Sequence, residues 1–249
     1  MNVRGLHNSQ DDLKQALHTN NPDILVLTET KLYDSNHRKW LNKLMKDYKW
    51  WSSPNGTAGT LLGVRTSIAG LSQAKLVHKD EGGRILAVTL QSQTKNLILL
   101  GTYWPSGSGA EALTLWSNME TTVQSLIAEY QNYTPILLGD MNATYFDNDR
   151  SSSSVYKADR MYRAVVEKVS LQPVPENKFH SDSTSLLRPW THLQSTASRD
   201  LAGNTVYTTG RIDDILLPQE IALKCPPAIT CSNGCQSDHV PLVANIYYT

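Results

Sequence analysis

The chain has 249 residues, 40% of them hydrophobic and 18% charged, which is enough to bury a sizeable core in one domain spanning 1–249. No apolar run approaches the roughly 18 residues that a membrane span needs, and the start lacks the apolar stretch of a secretory signal, so no membrane partner and no address are expected. Lysine plus arginine equals aspartate plus glutamate at 23 each; the net field therefore recruits no polyanion, and an anionic partner has to be met by a local basic face or a metal ion.

In chain order, Ser9 to His18 reads as a helix, with Ser9 and Asp12 suggesting a capping arrangement at its start. Ile24 to Thr28, Thr60 to Val64, Arg84 to Leu90 and Asn96 to Trp104 are short runs of β-branched and apolar residues bounded by Gly, Pro or Asn, and read as strands. Ala110 to Tyr130 is helical in period. Trp116, Met119, Val123, Leu126, Ile127 and Tyr130 recur at three- and four-residue steps on one face, which reads as core packing. Pro135 to Leu138 is another strand, Ser151 to Ser154 a flexible surface loop, and Lys157 to Val169 a further helix. Gln172 to Tyr207 is polar, rich in Ser and Thr and aperiodic, as loops around a site are. Ile212 to Leu217 and Val240 to Tyr247 are the last strand-like runs. Many strands broken by a few helices, without strict βαβ alternation, predict an α/β (α+β) fold of two mainly antiparallel sheets face to face with helices outside, a four-layer αββα sandwich.

Cys225, Cys231 and Cys235 lie within eleven residues, an odd number that defines no disulfide framework, so a reducing intracellular setting is the default. Together with His239 they make four zinc-type ligands, but at spacings that match no common structural zinc pattern; the plainer reading is three thiols in a loop.

Polar groups delivered at the ends of apolar strands need a reason, because burying them without partners costs about 1–3 kcal/mol each. Glu29 follows ILVLT, Asp140 and Asn142 follow PILLG, Asp213 and Asp214 sit between RI and ILL, and Asp238-His239 precede VPLV. Each alone is explained by a turn or cap that bonds its own backbone. Four together at strand ends point to one shared site on a rigid frame. Carboxylates with one imidazole suit a hard, oxygen-ligated cation such as Mg2+, which removes the repulsion between like charges and neutralises charge on a phosphoryl group. A carboxylate beside an imidazole favours imidazolium, and a doubly donating ring suits a phosphate better than it suits work as a base.

The same residues stand in Asn2-Val3-Arg4-Gly5-Leu6, Pro22-Asp23-Ile24-Leu25-Val26-Leu27-Thr28-Glu29-Thr30-Lys31, Gly101-Thr102-Tyr103-Trp104-Pro105, Gly139-Asp140-Met141-Asn142, Arg211-Ile212-Asp213 and Ser237-Asp238-His239. In that order these blocks resemble the endonuclease/exonuclease/phosphatase superfamily, whose members include apurinic/apyrimidinic endonucleases, pancreatic-type deoxyribonucleases and inositol polyphosphate phosphatases. The resemblance implies a metal held by Glu29, with Asp238 and Asn2 completing or adjoining its site, and Mg2+ as the ion, with Mn2+ able to substitute. It implies that Asp140 orients or deprotonates the attacking water, that Asn142 and Tyr103 contact the phosphate, that His239 stabilises or protonates a phosphoryl oxygen, and that Asp213 sets the tautomer of His239. Asp214 reads as a structural or hydrogen-bonding group, and Asp11, Asp12, Asp147, Asp149 and Asp182 as solvated loop or cap residues. Arg150, Lys157 and Arg160 suit either a DNA backbone or a solvated face.

The wording around Glu29, Asn142 and Asp213 is similar to the endonuclease domain of non-LTR (LINE-type) retrotransposons. That branch implies a nuclear, monomeric enzyme that nicks one strand of duplex DNA and leaves a 3′-hydroxyl for a reverse transcriptase domain of the parent protein. A phosphatase or phosphodiesterase acting on a small or lipid phosphate, and a catalytically weakened binding module, are the competing expectations. Relatives place a short apolar strand before the Asn of the first block, whereas Asn2 here follows Met1, so a domain lacking its first strand, with Asn2 poorly held, is expected. Asn177 to Arg188 and Ser106 to Gly109 are the candidate loops for target choice.

Overall fold

Strand β5 (Ile85–Gln91) shows how the layers arise. Its side chains alternate across the pleat, so Ile85 and Ala87 join the core beneath two helices while Leu86, Val88 and Leu90 join a second core on the opposite face. A strand apolar on both faces has to be covered on both. The computed structural model of the chain describes residues 1–32, 46–68, 71–92, 95–149, 155–175, 191–193, 198–199, 205–206, 209–226, 228–230, 237–239 and 241–246.

The larger sheet has six strands. In chain order they are β4 (Lys75–Lys79), β5, β6 (Asn96–Tyr103), β7 (Thr134–Asp140), β8 (Leu171–Pro173) and β13 (Asp213–Pro218), and in space they run β4-β5-β6-β7-β13-β8. Every neighbouring pair is antiparallel except β6 with β7, which the helix α2 (Ala110–Glu129) joins as a crossover. The smaller sheet, ordered β1-β3-β2, consists of β1 (Ile24–Leu27), β2 (Tyr48–Ser53) and β3 (Thr60–Arg65), all antiparallel. Short two-stranded pairs join β9 (His192–Leu193) to β12 (Thr209–Gly210), β10 (Ser198–Arg199) to β11 (Thr205–Val206), and β14 (Ile229–Thr230) to β15 (Leu242–Val243).

Three apolar clusters fill the spaces between layers. Val26, Leu62 and Val64 from the small sheet meet Leu86, Val88, Leu99, Ile136, Ile215 and Leu217 from the large one. On the far face of the large sheet, Leu100, Leu137 and Leu216 pack under Trp116, Met119, Val123 and Leu126 of α2 and under Tyr162, Val165 and Val166 of α3 (Lys157–Lys168). On the far face of the small sheet, Leu27 and Leu61 lie under Leu13 of α1 (Gln10–Asn20). Helix, sheet, sheet and helix thus stack in the order expected of the αββα sandwich, and the helical stripe from Trp116 onward is core.

Several local expectations are corrected. Ser9 makes no side-chain cap; its hydroxyl donates to Val3 O at 2.7 Å, anchoring the first block to the helix start. Strands β2, β4 and β8 were missed, because tryptophan, lysine and proline blur a two-residue alternation. The stretch from Gln172 to Tyr207 opens on β8 and contains β9, β10 and β11. Of Val240 to Tyr247, described residues form strand only at Leu242–Val243. Asn2, expected to be poorly held, is 1% exposed and bridged in parallel to Thr28, because Val3 N donates to Thr28 O and Thr28 N donates to Met1 O, both at 3.0 Å. Asp149 is buried rather than solvated, and it accepts the Phe146 N–H at 2.8 Å. Cys225 is buried in the core between the sheets. Cys231, Cys235, Asp182, Arg150, Ser151 to Ser154 and Asn177 to Arg188 lie outside the described residues.

Candidate active site

The site lies where the two sheets end together. Asp140 closes β7 and Asp213 opens β13, and the antiparallel register sets them directly opposite each other. Tyr103 closes β6 and pairs with Asp140 on the other side. Glu29 follows β1 of the small sheet, and Asn2 reaches in through its bridge to Thr28. Glu29 and Asn142 have φ of 50° and 48°, in the left-handed region that costs a side-chain-bearing residue energy and recurs where function dictates the backbone. Gly139 has no such choice: a Cβ there would lie 1.8 Å from Thr102 O.

A buried chain of polar groups runs through this point. Asp213 Oδ2 and His239 Nδ1 are 2.7 Å apart, with both residues under 5% exposed. The His239 Nε2 edge faces Asp140 Oδ2 at 3.9 Å and Asp238 Oδ1 at 4.0 Å, too long for hydrogen bonds. The Thr191 hydroxyl oxygen accepts the N–H groups of Ile212 and Asp213, both at 2.9 Å, which fixes the start of β13. The Ser237 hydroxyl donates to Asn2 O at 2.9 Å and accepts His239 N–H at 3.1 Å, tying the last block to the first across 235 positions.

Asn2 bridges the carboxylates. Its Nδ2 donates to Glu29 Oε1 at 2.7 Å and to Asp140 Oδ2 at 2.9 Å, while its Oδ1 accepts Arg4 N–H at 3.0 Å. Carboxylates only accept and a backbone N–H only donates, so the network settles the amide orientation. Asn2 thus bridges two carboxylates through its Nδ2 and adjoins Glu29, the expected metal ligand. Tyr103 donates its hydroxyl to Glu29 Oε1 at 2.9 Å and so holds that carboxylate. Asn142 donates its backbone N–H to Asp140 Oδ1 and its Nδ2 to Trp104 O, both at 2.8 Å, leaving one of the two amide protons. Asp214 is structural: its buried carboxylate takes Arg211 at 2.7 Å and the Tyr162 hydroxyl at 2.8 Å.

The electrostatics follow from burial. Desolvation and the neighbouring Asp213 charge raise Asp140 to about 6, against the opposing pull of His239 and the Asn2 and Asn142 hydrogen bonds. Burial disfavours charge on His239, but Asp213, Asp140 and Asp238 outweigh it and lift the ring to about 9, so it is an imidazolium at neutral pH. Burial also works against charge on Asp213, yet the imidazolium and its hydrogen bond hold that carboxyl below its ordinary value. For Glu29, burial is outweighed by the hydrogen bonds from Asn2, Lys31 and Tyr103, and its pKa is lowered.

Asp140, Asp213 and His239 offer ligand atoms within 4.8 Å of one another, but the imidazolium has no lone pair to give a cation. The donors that suit one are carboxylate oxygens. Glu29 and Asp238 face solvent in part and are already neutralised, by Lys31 Nζ on Glu29 Oε2 at 3.1 Å and by Arg4 Nε on Asp238 Oδ1 at 3.0 Å. An all-oxygen donor set with a buried acid raised by its neighbour's charge fits a hard divalent ion. Arg4, Lys31 and Thr191 are further residues of the site: Arg4 and Lys31 each lie two positions after Asn2 and Glu29, whereas Thr191 is one of many Ser and Thr residues in Gln172 to Tyr207 and carries no local signal of its own.

A family model described as the Endonuclease/Exonuclease/phosphatase family matches residues 1–239. Among solved structures, the AP endonuclease LMAP from Leishmania major is similar, with a TM-score of 0.75 and 19% identity over 100% of this chain and 86% of that one. The 3′ phosphatase NExo from Neisseria, bound to product DNA hairpin, is similar with a TM-score of 0.73 and 18% identity, covering 99% and 97%. The endonuclease domain of TRAS1, a telomere-specific non-LTR retrotransposon, is similar with a TM-score of 0.67 and 12% identity, covering 100% and 96%. At these identities the likeness is one of fold. No curated protein sequence matches the chain.

Proposed function

The chain belongs to the endonuclease/exonuclease/phosphatase family, and from that premise we propose that it is a divalent-metal-dependent DNA endonuclease that cleaves one phosphodiester of duplex DNA and leaves a 3′-hydroxyl. The observation that carries this reading is the buried Asp213–His239 pair, whose outer ring edge faces Asp140 at 3.9 Å and Asp238 at 4.0 Å. A phosphoryl oxygen brought against that edge would accept the Nε2 proton. Asp213 holds the opposite nitrogen and keeps the ring doubly protonated, so His239 stabilises charge on phosphorus or protonates an oxygen and does not act as the base.

Asp140 takes the base role. Raised to about 6, it is ionised at neutral pH yet basic enough to draw a proton from an attacking water, and Asn2 and Asn142 pin its two oxygens. The remaining amide proton of Asn142 would hold a phosphate oxygen beside it. Glu29 and Asp238 would hold Mg2+, or Mn2+ in its place, and the bound ion supplies neutralisation of charge on the phosphate. Tyr103 and Asn2 keep Glu29 in position for that ion.

The likeness to the TRAS1 domain and the wording of the blocks around Glu29, Asn142 and Asp213 support a retrotransposon origin. In that setting the nick is made in the nucleus, by a monomeric domain, and its 3′-hydroxyl primes a reverse transcriptase of the parent protein.

The test is relaxation of supercoiled plasmid in Mg2+, with and without chelator, followed by mapping of the ends. Relaxation that chelator abolishes and that leaves 3′-hydroxyls bears the proposal out. Release of phosphate from small or lipid esters without relaxation replaces it with a phosphatase. DNA binding unaltered by Asp140→Asn or His239→Ala, with no turnover in any form, replaces it with a binding module.

A further inference from the structure

Glu29 leaves β1 with a φ of 50°, so its carboxylate depends on neighbours to keep its place. Two routes of support reach it, and both start in one turn, residues 80–84, at the entry to β5. Within that turn Asp80 Oδ1 accepts the N–H groups of Arg84 at 2.7 Å and Ile85 at 2.6 Å, and Asp80 O accepts the Ser53 hydroxyl at 2.6 Å. The Thr60 hydroxyl donates to Gly83 O at 2.8 Å, which ties the turn to the small sheet.

The first route is backbone. Gly83, with a φ of 69°, lies so close to Gly59 that an added Cβ would stand 2.9 Å from Gly59 N. Gly59 O and Ala58 O in turn accept Thr30 N–H at 3.1 Å and Lys31 N–H at 3.0 Å, fixing the two residues after Glu29. The second route runs through a side chain. Ile85 pairs with Thr102, and one step further Arg84 O accepts Tyr103 N–H at 2.8 Å. The Arg84 guanidinium adds to this contact: Nη1 donates to Tyr103 O at 3.1 Å, and Cζ lies 4.7 Å from the centre of the Tyr103 ring. Tyr103 passes the constraint on by donating to Glu29 Oε1 at 2.9 Å.

A half-buried cation ordinarily takes a carboxylate as partner. Among the described residues Arg84 forms no ion pair, and its side chain is given over to Tyr103 alone. A planar guanidinium over an aromatic face stops the ring from swinging away, while its N–H holds the carbonyl of the same residue. Burial and the Glu29 charge raise the Tyr103 pKa above its ordinary value, so the hydroxyl stays a donor and Glu29 its acceptor.

Resting on the reading of Glu29 as a holder of the divalent ion, we infer that Arg84 is a positioning residue for the metal site: it fixes Tyr103, and Tyr103 fixes the Glu29 carboxylate. The sign of its effect separates this role from plain electrostatics. Removing a cation near a cation site tightens metal binding by Coulomb's law, whereas removing a positioning group weakens it.

Calorimetry of Mn2+ binding to the full chain without DNA is the test. Arg84→Ala weakens affinity about tenfold, Tyr103→Phe does the same, and the two together cost no more than either alone, because they act in series. Arg84→Lys keeps the charge but loses the flat fork, and it also weakens binding; it carries the test if thermal denaturation shows Arg84→Ala unfolded. The Mg2+ needed for half-maximal plasmid relaxation rises by the same factor, while the rate at saturating Mg2+ stays within about twofold of native. Native or tighter Mn2+ binding in the folded variants overturns the inference and leaves the nuclease standing. A double variant whose losses multiply also overturns it, since Arg84 then acts apart from Tyr103. A native chain that shows this Arg84 dependence of Mn2+ binding yet cuts no DNA supports the positioning role and removes the nuclease reading.

Discussion

At the residue scale, the pairing of an acid raised to about 6 with an imidazole raised to about 9 sets a pH window. With the roles proposed, Asp140 acts ionised and His239 protonated, so kcat/KM should rise as pH passes about 6 and fall as it passes about 9. Asp140→Asn should remove the acid limb and His239→Gln the alkaline one, each with a loss of about 100-fold or more in rate. The same pair affects stability in the metal-free protein. Because the folded pKa of His239 lies above its ordinary 6.5, its contribution is whole below that pH and disappears as pH rises through about 9. Thermal denaturation in chelator should therefore show a falling Tm on the alkaline side, and His239→Gln should flatten it. Lys31 competes with a cation for Glu29 from 3.1 Å, so Lys31→Met should tighten Mn2+ binding about fivefold by calorimetry, an effect scaled to a partly exposed ion pair. Unaltered affinity would mean that the ion sits elsewhere.

At the element scale, Glu29, Tyr103, Asp140 and Asp213 stand at or just past strand ends, because that is where backbone pairing stops and a side chain is freed to meet its counterparts from other strands. The register that sets Asp213 opposite Asp140 also sets Leu216 opposite Leu137 in the core, so packing and chemistry share one alignment. Gly139 is the tightest point, since its missing Cβ leaves room for Thr102 O in the neighbouring strand. Gly139→Ala should push β6 and β7 apart, cost roughly 3 kcal/mol or more in denaturant unfolding, and reduce activity further by displacing Asp140. A Gly139→Ala variant with native stability would show that the strands yield freely. The elements hidden from sequence reading, β2, β4 and β8, carry tryptophan, lysine or proline at positions that break alternation, and they are held by their neighbours in the sheets more than by their own propensity.

At the scale of the whole molecule, the two sheets are pressed together by a core that contains none of the proposed catalytic groups. Leu99→Ala at its centre, fully buried, should lower unfolding free energy by about 2–5 kcal/mol while leaving kcat near native well below the lowered Tm; loss of activity in proportion to stability would argue that the sheets must move during turnover. The sequence by itself pointed to the layers, through many short strands broken by a few helices without strict βαβ alternation, and it marked Glu29, Asp140, Asn142, Asp213, Asp238 and His239, because polar groups at the ends of apolar strands announce themselves locally. It could not determine how those groups are oriented. That Asn2 turns its nitrogen inward, that Tyr103 is spent on Glu29, that Arg4 and Lys31 sit on the exposed carboxylates, and that Thr191 caps the start of β13 were decided only by the tertiary structure. Hydrogen bonds and ion pairs depend on which groups meet across as many as 235 positions, and no pattern along the chain records those meetings.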